Sequence, residues 1–208
     1  MKLLSYLFPQ LLSTYHSKIN GEIKVVESFG RRAIYVDGAP QSGAEIWPMW
    51  EKIIKNLELK IKNCLILGVG GGDVIKIIRK YYPEAVITGV EIDPIMIDIA
   101  RKYFNIKSSD KLKIIHADAF AWIKLEKKKF DLIIFDLYLG KFNPPNARTI
   151  SFLDDLKKLS NDRGFILYNA HYQNDEEEYE RLLKDCHIVF RHAELLLSSP
   201  YSRILSLR

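Results

Sequence analysis

Cysteine is scarce in this chain, and its scarcity excludes two kinds of small protein. The two cysteines, Cys64 and Cys186, lie far apart in a sequence of 208 residues. Neither a disulfide framework nor a cysteine-based zinc site can be built from them, so a reducing, cytoplasmic setting is expected. The five histidines are scattered and lack metal-ligand spacing, and no metal is expected.

Long apolar runs are also missing. No stretch approaches the ~18 consecutive apolar residues of a membrane-spanning helix, so no membrane span is expected. Ser5, Pro9 and Gln10 interrupt the apolar N-terminus, which argues against a secretory signal. Leucines at helical spacing predict that residues 1–17 form an apolar helical segment, which covers the domain or contacts a second subunit of a homodimer. A membrane-surface anchor is the alternative.

The sequence has no strong excess of one charge. Lysine and arginine total 31 against 26 aspartates and glutamates, a net charge of +5. This balance permits an anionic partner without requiring one. The lysine-rich run at 124–129 is better explained as a solvated helix end, so nucleic acid is not an expected partner.

Alternating strand and helix patterns account for most of the chain. Residues 18–45 predict a small N-terminal β-hairpin, with turn signals at 28–30 and 37–38. Residues 46–208 begin with an amphipathic helix and continue as strand–helix units whose apolar runs are typical of strands buried on both faces. We therefore predict a Rossmann-like α/β domain with a parallel sheet, closed by two antiparallel strands near 187–193 and 202–207.

The most informative motif is the segment LILGVGGGD at 65–73. A buried strand ends there, a helix begins, and four glycines fall within five residues, at positions 68, 70, 71 and 72. Glycines allow a sharp turn and let a ligand lie against the main chain. No Gly-Lys-Ser/Thr follows, so this is not a Walker A loop. Asp73 would repel a pyrophosphate but attract an amine or a sulfonium, which favours a cationic ligand.

Acidic residues follow three further strands. Glu91 lies about 20 residues after the glycines and is a candidate for binding ribose hydroxyls. Asp93, followed by a proline, is read equally well as a helix cap. Asp118 is a candidate for contacting an adenine amine, with helix capping as the alternative. Asp136 is a candidate for holding or deprotonating a substrate amine.

Together these motifs resemble the spermidine synthase (polyamine aminopropyltransferase) family, within the seven-stranded methyltransferase fold that binds S-adenosylmethionine. The resemblance rests on the segments at 70–73, 91–93, 118–119 and 136–139, and on a strand and turn at 35–42. It implies that the donor is S-adenosylmethionine or its decarboxylated form. It implies catalytic roles for Asp136 and Tyr138. The donor-binding residues that it implies are Gln41, Gly68, Gly70, Gly71, Gly72, Asp73, Glu91, Ile92, Asp118 and Ala119.

Two positions depart from the family pattern. Leu139 stands where the family has a second acid, and Lys52 falls in a segment that resembles the family's acidic stretch poorly. A polyamine needs several carboxylates, so the acceptor half of the site is expected to be altered. We expect a methyltransferase acting on a small-molecule acceptor, with an amine as one candidate. An aminopropyltransferase with an altered acceptor pocket, or a non-catalytic nucleoside-binding assembly protein, are the alternatives. The segment Asn143-Pro144-Pro145 is expected to be a rigid turn.

Overall fold

The computed structural model describes residues 4–171, 176–199 and 202–208. The N-terminal part is an antiparallel sheet of four strands in the order β1-β2-β3-β4. Its strands are β1 (Gln10–Ser17), β2 (Gly21–Ser28), β3 (Arg31–Val36) and β4 (Ala39–Ser42). Tight turns join the last three strands, and positive φ angles at Phe29, Gly30, Asp37 and Gly38 match the two-residue hairpin turns that suit twisted strands.

The predicted N-terminal helix is wrong over residues 10–17, because that segment is strand β1. It pairs with β2 along its length, with an irregularity between Leu11 and Ser13. Beyond that point Tyr15 faces inward while Thr14 and His16 face solvent, the period of a strand. Between residues 4 and 17, only Leu4–Tyr6 is helical, as one short 3-10 turn. The predicted hairpin at 18–45 is therefore part of a larger, four-stranded sheet, and residues 1–3 lie outside the described chain.

The rest of the chain is a doubly wound α/β sheet of seven strands, and this confirms the predicted fold class. Its strands are β5 (Asn63–Leu67), β6 (Val86–Glu91), β7 (Leu112–His116), β8 (Phe130–Phe135), β9 (Ser160–Ala170), β10 (Ala193–Ser199) and β11 (Ser202–Leu207). Their order is β10-β11-β9-β8-β5-β6-β7. Strands β5 to β9 run parallel, and β11 is antiparallel to β9 and β10.

Six α-helices of the described chain cover the two faces of this sheet. They are α1 (Trp47–Ile54), α2 (Asp73–Tyr81), α3 (Pro94–Phe104), α4 (Ala119–Leu125), α5 (Ile150–Leu159) and α6 (Glu176–Val189). Alternate residues of β5 show why its run is continuously apolar. Cys64 and Ile66 pack with α1, α2 and α3, whereas Leu65 and Leu67 pack with α4, α5 and α6. Helix α6 extends to Val189, so the strand predicted near 187–193 begins later, at Ala193.

The strand order reverses beside β5, because the chain places β6 on one side of β5 and later places β8 on the other side. Such a switch point leaves a crevice beyond the carboxyl ends of the strands, where open α/β sheets bind ligands. Within the described residues, no helix is long and apolar enough to cross a membrane. A ligand site is therefore expected at the loops that follow β5, β6 and β8.

Candidate functional site

Two adjoining cavities lie at the carboxyl edge of the sheet. The first encloses about 580 Å³, its open mouth included, and the second about 400 Å³. Gln41, Ile46, Asp136 and Tyr138 line both cavities and so form the boundary between them. The first cavity also collects most of the predicted donor-binding residues. These are Gly68, Gly70, Gly71, Asp73, Glu91 and Ile92.

The positions occupied by glycine in the loop after β5 require glycine for different structural reasons. A Cβ on Gly68 would lie 2.2 Å from the carbonyl oxygen of Asp136, and one on Gly71 would lie 2.2 Å from the Ser42 hydroxyl oxygen. A Cβ on Gly72 would meet Ile106 at 2.4 Å. These three glycines are required by the protein's own packing. A Cβ on Gly70 would meet only the Gln41 carbonyl oxygen, at 3.5 Å, so Gly70 alone leaves open space above the loop.

Asp73 begins α2 and is 8% exposed at the wall of the first cavity. Its Oδ2 accepts hydrogen bonds from the Ser42 hydroxyl at 2.8 Å and from the Gly43 backbone N–H at 2.6 Å. Burial raises the pKa of this carboxyl, and these two hydrogen bonds act against that rise. Asp73 therefore contacts both the cavity and the end of the N-terminal sheet, a partner that the sequence did not reveal.

Glu91, at the end of β6, organises the glycine loop. Its Oε2 accepts hydrogen bonds from the backbone N–H groups of Val69 at 3.0 Å and Gly70 at 3.3 Å, and its Oε1 accepts one from Asp93 at 3.0 Å. Burial raises the pKa of Glu91 despite these three bonds. The side chain lines the first cavity, and each carboxylate oxygen has two lone pairs, so Oε1 can accept one more hydrogen bond.

Three predicted donor-binding residues, Gly72, Asp118 and Ala119, do not line this cavity. Asp118 is exposed at the start of α4, where its Oδ1 caps the helix by accepting a hydrogen bond from the Phe120 N–H at 2.8 Å. Ala119 is buried beneath it. Neither lines the first cavity. Asp93 caps α3 through the Ile95 N–H and accepts a second hydrogen bond from Asn20 at 2.7 Å, which is the structural role considered for it.

Asp136 lies at the end of β8, on the boundary between the two cavities. Its Oδ1 accepts a hydrogen bond from the Asn169 side-chain amide at 2.8 Å. Burial raises the pKa of Asp136 to about 7, the Asn169 hydrogen bond opposes that rise, and the nearby Asp73 and Glu91 carboxylates add to it. A carboxylate with this pKa is suited to exchange a proton near neutral pH.

The second cavity contains polar residues that sequence reasoning missed. Asn169 at the end of β9, Lys141 and His171 line it together with Asp136 and Tyr138. Their only sequence signal was position, at or after the carboxyl ends of β8 and β9. His171 stacks on Phe142 at 5.5 Å between ring centroids, and burial lowers the pKa of its imidazole. Lys52, considered above for the acceptor side, lies on an exposed face of α1 and lines neither cavity.

The loop between β8 and α5 is held in place by Asn143, which is 3% exposed. Its side-chain amide donates to the Leu137 carbonyl oxygen at 2.7 Å, and its Oδ1 accepts from the His171 backbone N–H at 2.6 Å. These bonds agree with the expected rigid turn at 143–145. Among the described residues, no group of three histidine, cysteine, aspartate or glutamate side chains is arranged to hold a metal ion.

The strand order and the crevice above β5 define a Rossmann-like methyltransferase fold. Solved structures share this fold with the chain. They include a probable spermidine synthase from Corynebacterium glutamicum, with a TM-score of 0.80 and 20% identity over 95% of this chain and 80% of that one. They also include human methyltransferase-like protein 13 in complex with SAH, with a TM-score of 0.67 and 24% identity over 78% of this chain and 79% of that one.

The family described as the spermine/spermidine synthase domain matches residues 51–199. The chain therefore belongs to that family, as its motifs predicted.

Curated relatives differ in their acceptors. The polyamine aminopropyltransferase of Vibrio vulnificus is 34% identical over 114 residues, which cover 53% of this chain and 38% of that protein. The eEF1A lysine and N-terminal methyltransferase homolog of Drosophila melanogaster is 30% identical over 138 residues, which cover 62% of this chain and 20% of that protein. The matched region thus spans well under half the length of either relative.

Proposed function

We propose that this protein transfers a methyl group from S-adenosylmethionine to an amine. The observation that carries the proposal is the position of Asp136, a carboxylate with a pKa of about 7 on the boundary between two cavities. The first cavity would hold the donor and the second the acceptor. An acidic group between them is placed to hold an acceptor amine and to take its proton.

The residues of the first cavity suit a nucleoside that bears a sulfonium. Asp73 and Glu91 supply negative charge, and the open space above Gly70 leaves room for a ligand against the main chain. Asp73 would face the methionine amine, Glu91 the ribose hydroxyls, and residues 68–71 the methionine chain. Asp118 and Ala119 remain predictions for the adenine, at the outer end of the same sheet edge.

Asp136 would act on the nitrogen of the acceptor. When bound, the donor supplies a carbon made electrophilic by its positively charged sulfur. The nitrogen lone pair forms the new N–C bond, and the electrons of the broken C–S bond go to sulfur. Asp136 accepts the proton that the nitrogen loses, while Asn169 holds the carboxylate in position.

Two features favour methyl over aminopropyl transfer. The first-turn N–H groups of α2, which begins at Asp73 beside the cavity, have no partner within the helix and suit the carboxylate that only intact S-adenosylmethionine carries. Of the described residues around the second cavity, Asp136 alone is acidic, too little charge for a polyamine. Aminopropyl transfer is the second candidate, because the family includes aminopropyltransferases.

Calorimetry and mass spectrometry together test this proposal. We expect S-adenosylmethionine to bind at least tenfold more tightly than its decarboxylated form, and a panel of amines to gain a methyl group. Tighter binding of the decarboxylated form would overturn methyl transfer in favour of aminopropyl transfer. Asp136→Asn is expected to slow transfer by roughly a hundredfold or more while donor affinity changes less than threefold. Unchanged transfer in this variant would remove Asp136 from the chemistry.

A non-catalytic nucleoside-binding role is the remaining alternative. It predicts donor binding without transfer to any amine, free or on a protein. The relatives named for eEF1A lysine and N-terminal methylation give a reason to include peptide amines in the acceptor panel.

A further inference from the structure

The second cavity has an unusual charge pattern for a family that includes polyamine transferases. The described residues around it include one carboxylate, Asp136, and one lysine, Lys141. Lys141 is exposed, and no carboxylate in the described chain pairs with its ammonium group. His171 lies on the same wall, but burial lowers its pKa and keeps its imidazole neutral at neutral pH. The described lining of this cavity therefore presents one negative and one positive charge.

Asn169 provides a second, independent observation. The residue is 2% exposed, and its side-chain N–H group is committed to Asp136. Its side-chain oxygen Oδ1 is buried and has no hydrogen-bond donor among the described residues. A buried acceptor without a partner is costly, and a ligand that brings an N–H group would satisfy it. Asp136 and Asn169 together thus offer two oxygen atoms to an incoming amine.

A second amine on the acceptor would meet the wrong charge. A diamine carries two positive charges, and Lys141 would repel the one that Asp136 does not neutralise. A carboxylate or another anionic group in that place would instead be attracted to Lys141. We propose that the acceptor is an amine that also carries an anionic group, with its nitrogen at Asp136 and Asn169 and its anion at Lys141. This proposal rests on the transfer to an amine proposed above.

Binding of two matched ligands tests the charge of the acceptor. The ligands are 4-aminobutanoate and 1,4-diaminobutane, which have four carbons each and differ at one end. Calorimetry of the full chain saturated with S-adenosylhomocysteine is expected to give at least tenfold tighter binding of 4-aminobutanoate. Lys141→Glu is expected to lower that preference by roughly tenfold or to reverse it, and 0.5 M salt to weaken it, because Lys141 is exposed.

Lys52→Glu is the matched control. It makes the same change in net charge on an exposed lysine that lines neither cavity, and it should leave the preference unchanged. The proposal is overturned if neither ligand binds, if the diamine binds as tightly, or if Lys141→Glu retains the wild-type preference. Transfer assays with both donors are interpreted separately from these binding measurements. Loss of transfer with the binding preference intact would refute the proposed reaction and leave the acceptor assignment standing.

Discussion

At the scale of single residues, the two ends of β8 place aspartates in opposite environments. Asp131, at the start of the strand, accepts hydrogen bonds from the Lys62 and Asn63 backbone N–H groups and from the Asn161 side chain. Burial raises its pKa, but these hydrogen bonds outweigh that effect and lower it overall. Asp136, at the other end, has a pKa raised to about 7 by burial. The folded protein therefore stabilises the charged form of Asp131 and destabilises the charged form of Asp136.

This contrast predicts opposite stability changes with pH. Between about pH 4 and pH 7 the native protein keeps a proton on Asp136 that the unfolded chain releases, so stability falls as the pH rises through that interval. Asp136→Asn removes the fall. We expect the variant to unfold roughly ten degrees higher than the wild type at pH 8, an effect of about 4 kcal/mol, and at the same temperature near pH 4.

Asp131→Asn is the matched control, because its lowered pKa reverses the sign. Asp131 stabilises the native protein above the pKa of the unfolded chain, near 4, and that contribution is lost as the pH falls through the lower native value. The variant should melt lower than the wild type at pH 8, and the difference should shrink in acid. Thermal unfolding between pH 3 and pH 8 measures both variants. If Asp136→Asn lowered the melting temperature at pH 8, the carboxylate would instead be stabilising.

At the scale of elements, the sequence predicted the α/β domain more reliably than the N-terminal sheet. Residues 64–67 of β5 and 132–135 of β8 are continuously apolar because both faces of those strands are covered, and such runs can be recognised without knowing which strands pair. Strand β1 was missed because the leucines at 3, 4, 7, 11 and 12, which extend into it, recur at helical spacing, and because its inward side chains include serines. Pairing with β2, the next strand along the chain, decides its structure, because cross-strand packing overrides local preference.

The candidate site could be predicted in part for a related reason. Residues at the carboxyl ends of parallel strands share one edge of the sheet, so motifs after β5, β6 and β8 identified most of the first cavity. Asn169 and Lys141 were missed because no motif marks them. The contacts of Asp73 with Ser42 and Gly43 depend on how the two sheets pack, which the spacing of residues does not encode.

The glycine loop after β5 makes a prediction that separates packing from ligand binding. A Cβ at Gly68 would clash with the Asp136 carbonyl oxygen, and its φ of +92° is strained for other residues. We expect Gly68→Ala to lower the free energy of unfolding by about 3 kcal/mol or more. Gly70→Ala, at a φ of +50° in open space, should cost about 1 kcal/mol and weaken S-adenosylhomocysteine binding at least tenfold.

Urea unfolding and calorimetry measure both variants of the loop. Gly70→Ala should remain folded, so its loss of affinity would report on the space above the loop. Retention of wild-type affinity by Gly70→Ala would mean that the ligand does not lie against this part of the main chain. Equal destabilisation by the two variants would contradict the different packing of the two glycines.

At the scale of the whole molecule, the first cavity lies between the N-terminal sheet and the α/β domain. Ser42 and Gly43 bond to Asp73, and the Gln41 side chain donates to the Gly140 carbonyl oxygen at 3.1 Å. Elsewhere in the four-stranded sheet, the Arg32 guanidinium of β3 donates a hydrogen bond to the carbonyl oxygen of Tyr103, near the end of α3, at 2.6 Å. The four-stranded sheet is thus one wall of the proposed donor site and is tied to the starts and ends of the helices behind it.

A ligand in this cavity should therefore stabilise both parts of the molecule. At a concentration of S-adenosylhomocysteine about 100 times its Kd, amides that exchange only through global unfolding should exchange about 100-fold more slowly. We expect this protection in β3 and β4 as well as in β5 and β6, because both parts contribute cavity walls. Hydrogen exchange followed by mass spectrometry, with and without the ligand, measures it.

Ser42→Ala tests whether the hydrogen bond to Asp73 transmits this effect. The variant removes one of the two hydrogen bonds that Ser42 and Gly43 donate to Asp73 at the start of α2, but leaves Glu91 and its loop bonds in place. Ligand-induced protection should therefore decrease in β4 and persist at Val69 and Gly70. Protection confined to the α/β domain in the wild type would show that the N-terminal sheet opens independently, and the cavity would then have to bind its ligand without that wall.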